Sequence, residues 1–153
     1  MSDAAQAGAL VDHHVLEFPG GFTRSVGPVI GRFLTAVRDD AQLLGVRLPD
    51  GRVVAPPLEY DPATGAAGGD DFVPVGPGGE VTTWTWIAEP RPEHLLDRSF
   101  AFALIRLDGA DTAMLHAVDA GDPAAMRTGM RVTVRFADDR VGSVTDFWFT
   151  PDP

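Results

Sequence analysis

Three side chains that can exchange protons lie close together in the sequence: Asp108, Asp111 and His116. Carboxylates and imidazoles are common general acids and bases, so this spacing supports an acid–base site as one hypothesis. However, Asp108 and Asp111 flank a predicted turn, where aspartate commonly bonds to the local backbone. His116 lies in the middle of the strand predicted to follow. We therefore predict a half-buried structural His116 and no catalytic residue in this chain, with the acid–base set as the alternative.

Trp84 and Trp86 are two positions apart in a predicted strand, so their side chains share one face. The rings can pack in the core beneath a covering element, contact a partner or an acyl ligand, or stack on the bases of a single-stranded nucleic acid. Core packing is the interpretation that the sequence favours. The other two interpretations stay open.

Arginine supplies all twelve basic side chains, because the chain contains no Lys. Its planar guanidinium binds carboxylates and phosphates through paired hydrogen bonds. Arg47, Arg52, Arg91 and Arg98 lie beside two predicted loops, where they could contact the phosphates of an adenine nucleotide. Loop arginines are more commonly only solvated. No Ser lies in a nucleophile-elbow pattern, and no Gly-rich phosphate loop precedes a helix.

The charge balance and the absence of Cys exclude several classes of function. The formal net charge is −10, which disfavours nucleic acids and anionic membranes as partners because both require a cationic surface. Without Cys, the chain has no disulfide, no thiolate zinc site and no Cys nucleophile. Asp12, His13 and His14 are adjacent, but neighbouring residues point in different directions, so we expect a solvated arm there and no metal site.

The N-terminal region is predicted to contain a loose arm over residues 1–20 and a helix over residues 28–43. Pro28 suits the first turn of a helix. Apolar residues then repeat at helical spacing and form one stripe. The stripe can pack on the chain's own core or dock onto a partner. The predicted partner-binding residues, from the stripe and the segment before it, are Phe18, Phe22, Val29, Phe33 and Val37.

Three regions follow from composition. Residues 1–60 comprise the arm, the helix and a small knuckle, in which Pro49-Asp50-Gly51 predicts a turn and Val53-Val54-Ala55 a short strand. Residues 61–80 are predicted to be a linker, because nine of these 20 positions are Gly or Pro. Residues 81–153 are predicted to form a barrel.

Five strands are predicted in the last 70 or so residues, with one helical turn at 123–127 before the fourth strand. This pattern is typical of a small closed Greek-key barrel, so the predicted fold class is mainly β, an OB-fold barrel preceded by a helix. The strands are predicted at 81–87, 100–107, 112–118, 131–136 and 143–149. The predicted barrel core comprises Phe100, Phe102, Leu104, Ile105, Leu115, Val132, Val134 and Phe136.

No stretch approaches ~18 uninterrupted apolar residues, so we predict no membrane span. The first residues lack the basic and apolar regions of a secretory signal, so the expected location is the cytoplasm.

Several segments, in this order and spacing, resemble a bacterial and archaeal family called domain of unknown function thirty-five, whose members are acyl-CoA-associated OB-fold proteins. The resemblance covers about residues 25–151. The segments that carry it are Gly45-Val46-Arg47, Gly51 to Pro57, Gly79 to Thr85, Phe102 to Gly109, Leu115-His116, Gly129 to Val132 and Asp146 to Phe149.

The resemblance implies a rubredoxin-like zinc ribbon before the barrel, and here the sequence departs from the family. Leu48 and Asp50 stand near the positions of the first thiolate ligands, and residues 61–64 stand at the second pair. With no Cys, the resemblance implies a metal-free relic of the ribbon, stabilised by packing of Val53, Val54 and Tyr60.

The resemblance also implies a role. Family members form complexes with thiolase-like enzymes, including aldolases that cleave steroid side-chain CoA esters, thiolases and acyltransferases. The partner supplies the catalytic Cys and His, and the OB-fold protein supports it and can help to form the CoA channel. The implied function is a non-catalytic subunit of such a complex, with no cofactor of its own. Residues expected to contact CoA are Arg47, Arg52, Trp84, Trp86 and Arg91.

Two other functions stay open: a small independent acyl-CoA enzyme that uses Asp108, Asp111 and His116, and an OB-fold module that binds nucleic acid through Trp84 and Trp86.

Overall fold

The computed structural model describes residues 10–11, 13–16 and 22–153, with only the backbone described for 13–16 and 22–24. Strands β1 (His13–Leu16) and β2 (Phe22–Ser25) pair antiparallel, from His13 opposite Ser25 to Leu16 opposite Phe22. The predicted loose arm therefore contains one strand of a hairpin.

Helix α1 (Gly27–Asp40) begins with Pro28 in its first turn, as predicted. It ends three residues earlier than predicted, because Ala41 adopts a left-handed conformation (φ 49°) and the chain turns into a strand at Leu43. No helix among the described residues has the length and apolarity that a membrane span requires.

A three-stranded sheet follows the helix, with β3 between the other two strands. It comprises β3 (Leu43–Arg47), β4 (Val53–Val54) and β5 (Phe72–Val75). Strand β5 lies within the region predicted to be a linker, and the next strand already begins at Gly78. Residues 61–80 are therefore not a plain linker, since antiparallel pairing with β3 gives 72–75 a regular structure despite Pro74.

The remaining strands close a five-stranded barrel. They are β6 (Gly78–Ile87), β7 (Phe100–Leu107), β8 (Ala113–Val118), β9 (Arg131–Phe136) and β10 (Phe147–Pro151). The order around the barrel is β6-β7-β8-β10-β9, with β8 and β10 parallel and all other pairs antiparallel. This is the strand order of an OB fold, so the predicted fold class is confirmed.

Two short 3₁₀ turns complete the barrel. Pro123–Ala125 lies before β9, where a helical turn was expected, and Val144–Asp146 leads directly into β10. The second turn replaces the first part of the predicted strand 143–149. The buried carboxylate of Asp146 accepts the backbone N–H groups of Val141, Gly142 and Ser143 at 2.7–2.9 Å, which fixes the loop into that turn.

One contiguous hydrophobic core joins the helix, the three-stranded sheet and the barrel interior. Phe33 and Val37 of α1 lie in the same cluster as Ile105 and Val132 of the barrel. A second, separate cluster lies outside the barrel wall, where Leu96 in the β6–β7 loop covers Phe100 and Ala117. Because that loop covers Phe100 on the outer side, the barrel is apolar on both faces there.

The predicted barrel core is wrong at four positions, because Phe100, Phe102, Leu104 and Leu115 all lie on the outer face of the barrel wall. The β6–β7 loop packs against the first two. Leu104 and Leu115 pair directly across β7 and β8, so their side chains share one face, and that face is outside the barrel. Their exposed fractions are 37% and 62%. Strand alternation places Ile105 and Met114 on the inner face instead.

Candidate functional site

The two carboxylates at the β7–β8 turn have structural partners. Asp108 forms a bidentate ion pair with Arg131 of β9, with Nη1 donating to Oδ1 at 2.8 Å, and hydrogen bonding from this guanidinium lowers the pKa of Asp108. Asp111 accepts the N–H of Val53 at 2.8 Å and donates its own N–H to the Val53 carbonyl at 2.8 Å. With Thr112, which bonds Ala55, Asp111 thus satisfies the outer edge of β4.

His116 lies on the inner side of β8, as a half-buried structural residue. Its ring packs edge-on against Phe147, with the centroids 4.1 Å apart, and Nε2 is a buried atom without a hydrogen-bond partner among the described residues. Burial lowers the pKa of His116 from 6.5 to about 4, so the imidazole is neutral at pH 7. The structure therefore does not bring His116 together with Asp108 or Asp111 as an acid–base set.

Trp84 and Trp86 do not form an exposed stacking platform. They lie directly opposite Ala103 and Ala101 of β7, which are fully buried, so both indoles face the barrel interior. Each is partly buried and packs against the main core, which confirms the core-packing interpretation. A bulge between Val81 and Thr83 sets this register.

The candidate CoA-binding arginines lie in two different parts of the fold. Arg47, at the end of β3, pairs with Asp71 at 3.4 Å, and Arg52 pairs with Asp50 at 2.7 Å. Arg91 lies in the β6–β7 loop of the barrel, where its side chain is exposed and its backbone N–H donates to His94. A phosphate could recruit Arg47 or Arg52 only in competition with these carboxylates.

At two of the predicted partner-binding positions, the apolar stripe of α1 packs in the chain's own core. Phe33 is 2% exposed and packs edge-to-face on Phe147, with ring centroids 6.3 Å apart. Val37 is fully buried. The prediction that Phe33 and Val37 contact a partner is therefore wrong, since the barrel already covers them. Val29 is only partly buried and stays a candidate.

The remaining two partner-binding candidates, Phe18 and the side chain of Phe22, lie outside the described residues.

In the knuckle, one guanidinium joins the two loops that the family resemblance places at a zinc site. Arg52 donates through Nε to Asp50, and its Nη2 lies 3.3 Å from Asp61 Oδ2. Asp61 is buried and also accepts the N–H of Ala63 and the hydroxyl of Thr64. Val53 and Val54 are buried as expected, whereas Tyr60 is exposed and contributes little packing.

In the part of the chain that the structure describes, no three His, Asp or Glu side chains converge, so no cluster there could hold a metal ion.

An uncharged and partly exposed face of the barrel, with Leu104 and Leu115 exposed in it, is the feature that sequence reasoning missed. We define the β7–β8 outer face as Thr83, Thr85, Phe102, Leu104, Leu115 and Ala117. The strand registers place these six residues in two adjacent rows, Thr83-Leu104-Leu115 and Thr85-Phe102-Ala117. The nearly continuous apolar run of β7 was the signal that could have revealed this face. A strand with one face in solvent normally alternates apolar and polar residues, so an unbroken apolar run indicates apolar residues on the outer face as well.

Residues 72–137 match the family model described as the ChsH2 C-terminal OB-fold domain. No curated protein matches the chain. Among solved structures, the chain is similar to one titled Ltp2-ChsH2(DUF35) aldolase, with 18% identity and a TM-score of 0.62 over 84% of this chain and 98% of that one. It is also similar to a DUF35-family protein of unknown function from Sulfolobus solfataricus, with 16% identity and a TM-score of 0.61 over 83% of this chain and 85% of that one.

The family model covers β5 to β9 and the start of the following loop, which is most of the barrel. The structural similarity extends over most of the chain, so it includes elements that precede the barrel. These similarities agree with the predicted resemblance: the chain has the OB fold, and its structure is similar to those of DUF35-family proteins.

Proposed function

We propose that this protein is a non-catalytic accessory subunit of a thiolase-like enzyme, an aldolase, thiolase or acyltransferase, that acts on acyl-CoA. The observation that carries the proposal is the similarity over 98% of a chain whose title joins ChsH2 with Ltp2 in an aldolase. Steroid side-chain or other lipid catabolism is the proposed setting, on the strength of the family resemblance.

The chemistry of the described residues supports a subunit without a reaction of its own. Asp108 and Asp111 are bonded to Arg131 and Val53. His116 is a neutral imidazole inside the barrel wall and cannot abstract a proton from a substrate at the surface. With no Cys in the chain, the nucleophile of a thiolase-type reaction has to come from the partner.

Direct contact with CoA is the finer part of the proposal. Among the predicted contacts, Arg91 is exposed and has no carboxylate within ion-pair distance among the described residues, so it can bind a phosphate without breaking a salt bridge. Arg47 and Arg52 could bind a phosphate only by releasing the carboxylates of Asp71 and Asp50, respectively. Trp84 and Trp86 face the barrel interior but are only partly buried, so a contact with an acyl chain would use the part of each residue that stays accessible.

The test is to co-express the chain with each thiolase-like enzyme of its organism and to compare acyl-CoA turnover by the chain, the enzyme and the pair. We expect no turnover by the chain alone, a stable complex in size-exclusion chromatography, and greater solubility or activity of the enzyme in the complex. Turnover by the isolated chain that Asp108→Asn or His116→Ala abolishes, with the far-ultraviolet circular dichroism unchanged, would establish the independent-enzyme alternative instead.

A further inference from the structure

The β7–β8 outer face is uncharged, and the chain leaves part of it uncovered: Leu104 and Leu115 are exposed, whereas Ala117 is fully buried. The β6–β7 loop closes over one end of the face, where His94 packs edge-on against Phe100 and Phe102 at centroid distances of 5.5 and 5.7 Å. Arg98 holds that loop in place, because its Nε donates to Asp119 at 3.1 Å. The cover does not reach the next row, where Leu104 and Leu115 stay exposed.

The face is also free of charge, although 22% of the residues in the chain are charged. Its six members are Thr, Leu, Phe and Ala only. The first charged row is Glu80 and Arg106, which neutralise each other at 3.7 Å. Exposed leucines in a row without charges are unusual on a solvated strand and typical of the centre of a protein interface.

Strands β7 and β8 are the second and third strands of the barrel, and the face they form is the one on which OB folds commonly bind their ligands. The two loops that border such a face are 88–99 and 137–146. They carry five exposed carboxylates, Glu89, Glu93, Asp97, Asp138 and Asp139, against three arginines. Of those arginines, Arg98 is paired with Asp119 and also with Asp97, at 3.5 Å, and Arg140 donates to the carbonyls of Arg38 and Ala137.

We infer that the β7–β8 outer face is the docking surface for the thiolase-like partner, which presents an apolar patch with a basic rim. The inference rests on the proposed function and specifies its interface. Charge complementarity identifies the occupant: a border of carboxylates on a chain of net charge −10 attracts Lys and Arg around an apolar centre and repels a polyanion. The barrel thus uses the usual OB-fold face for a protein instead of an oligonucleotide.

Matched substitutions test this surface. Leu115→Asp and Leu104→Asp place a charge on the face, and Tyr60→Asp and Leu58→Asp are the controls in the knuckle. The pairs are matched in exposure, with 62% for Leu115 and Tyr60, 37% for Leu104 and 38% for Leu58. Affinity for the co-purified thiolase-like enzyme is measured by titration at low and high salt, after circular dichroism has shown that each variant is folded. If Leu115→Asp does not fold, Leu115→Ser is used.

We expect the face variants to bind at least about tenfold more weakly and the controls to stay within about twofold, because central apolar anchors dominate interfaces. Binding should also weaken as salt rises. Equal binding by face and control variants would refute the docking surface and leave the proposed function intact. Absence of binding by the wild type to every thiolase-like enzyme would refute the proposed function and the docking surface with it. A chain that dimerises alone and becomes monomeric as Leu115→Asp would show that the face pairs with a second copy, which also refutes the inference.

Discussion

Phe33→Ala is the substitution that most directly tests the packing of helix α1 on the barrel. The ring is 2% exposed and contacts the ring of Phe147, which begins the last strand of the barrel. Removing a buried phenyl group costs about 3–5 kcal/mol, because transfer free energy is lost and a cavity is left. For a domain of this size each kcal/mol lowers the melting temperature by roughly 2–4 °C, so the expected decrease is about 6–20 °C.

The assay is thermal and urea unfolding followed by circular dichroism, with Val29→Ala as the control. Val29 lies on the same helix but is only partly buried, so its truncation should cost about 1 kcal/mol or less. Phe147→Ala and the double variant complete a thermodynamic cycle, in which the edge-to-face pair should show a coupling of about 0.5–1.5 kcal/mol.

Phe33→Ala also separates a core role from a docking role. If the barrel covers this residue, the variant loses stability in the absence of any partner. A folded Phe33→Ala protein whose free energy of unfolding lies within about 1 kcal/mol of the wild type would show that α1 is not part of the core, and the packing argument would fail.

Three further predictions concern the knuckle and the barrel wall. Arg52→Met should increase amide hydrogen exchange at residues 61–66, because Asp61 loses the guanidinium that joins its loop to Asp50. Arg47→Met, the control, should leave this exchange unchanged. Equal exchange in both variants would contradict the proposed cross-link. The purified chain should contain no stoichiometric zinc, and about one zinc per chain in elemental analysis would refute this prediction. Burial lowers the pKa of His116 to about 4. Between pH 6.5 and 4 the unfolded chain therefore binds a proton that the folded chain does not. The free energy of unfolding should fall by roughly 3 kcal/mol as the pH falls through that range. Urea unfolding at several pH values measures this loss, and a His116→Leu variant that keeps the same pH slope over that range would contradict it.

Local signals were sufficient to predict the barrel. Alternation at Val132, Val134 and Phe136 and the Asp108-Gly109 turn gave the right strands, and the order of strands and turns gave the fold class. Strand β5 was missed because its regular structure depends on pairing with β3, about 30 residues earlier in the chain. A segment with Gly and Pro on both sides carries no local sign of such a partner.

The side that a residue faces was harder to predict than the element that contains it. The stripe of α1 was recognised, but the sequence does not say whether the barrel or another protein covers Phe33. For Leu104 and Leu115 the error was the opposite one: both were predicted to lie in the core, and both are exposed. Apolar residues on both faces of β7 look like continuous core, since a period of two identifies two faces but does not say which one is inside. Both errors concern which apolar surface is buried and which is exposed: the structure buries Phe33 and exposes Leu104 and Leu115.

The arrangement of charges supports the inferred docking surface independently of the apolar residues. Arg131 joins β9 to the β7–β8 turn, Arg98 joins the β6–β7 loop to Asp119 just after β8, and Arg52 joins the two knuckle loops. Each ion pair is partly exposed and adds little stability by itself, but each holds a loop beside a neighbouring element. With these arginines bound to carboxylates, the surface keeps its excess of negative charge and few cations for an anionic ligand. A protein built in this way is suited to a partner that brings the positive charge, and the uncharged β7–β8 outer face is where such a partner would displace the least water from charged groups.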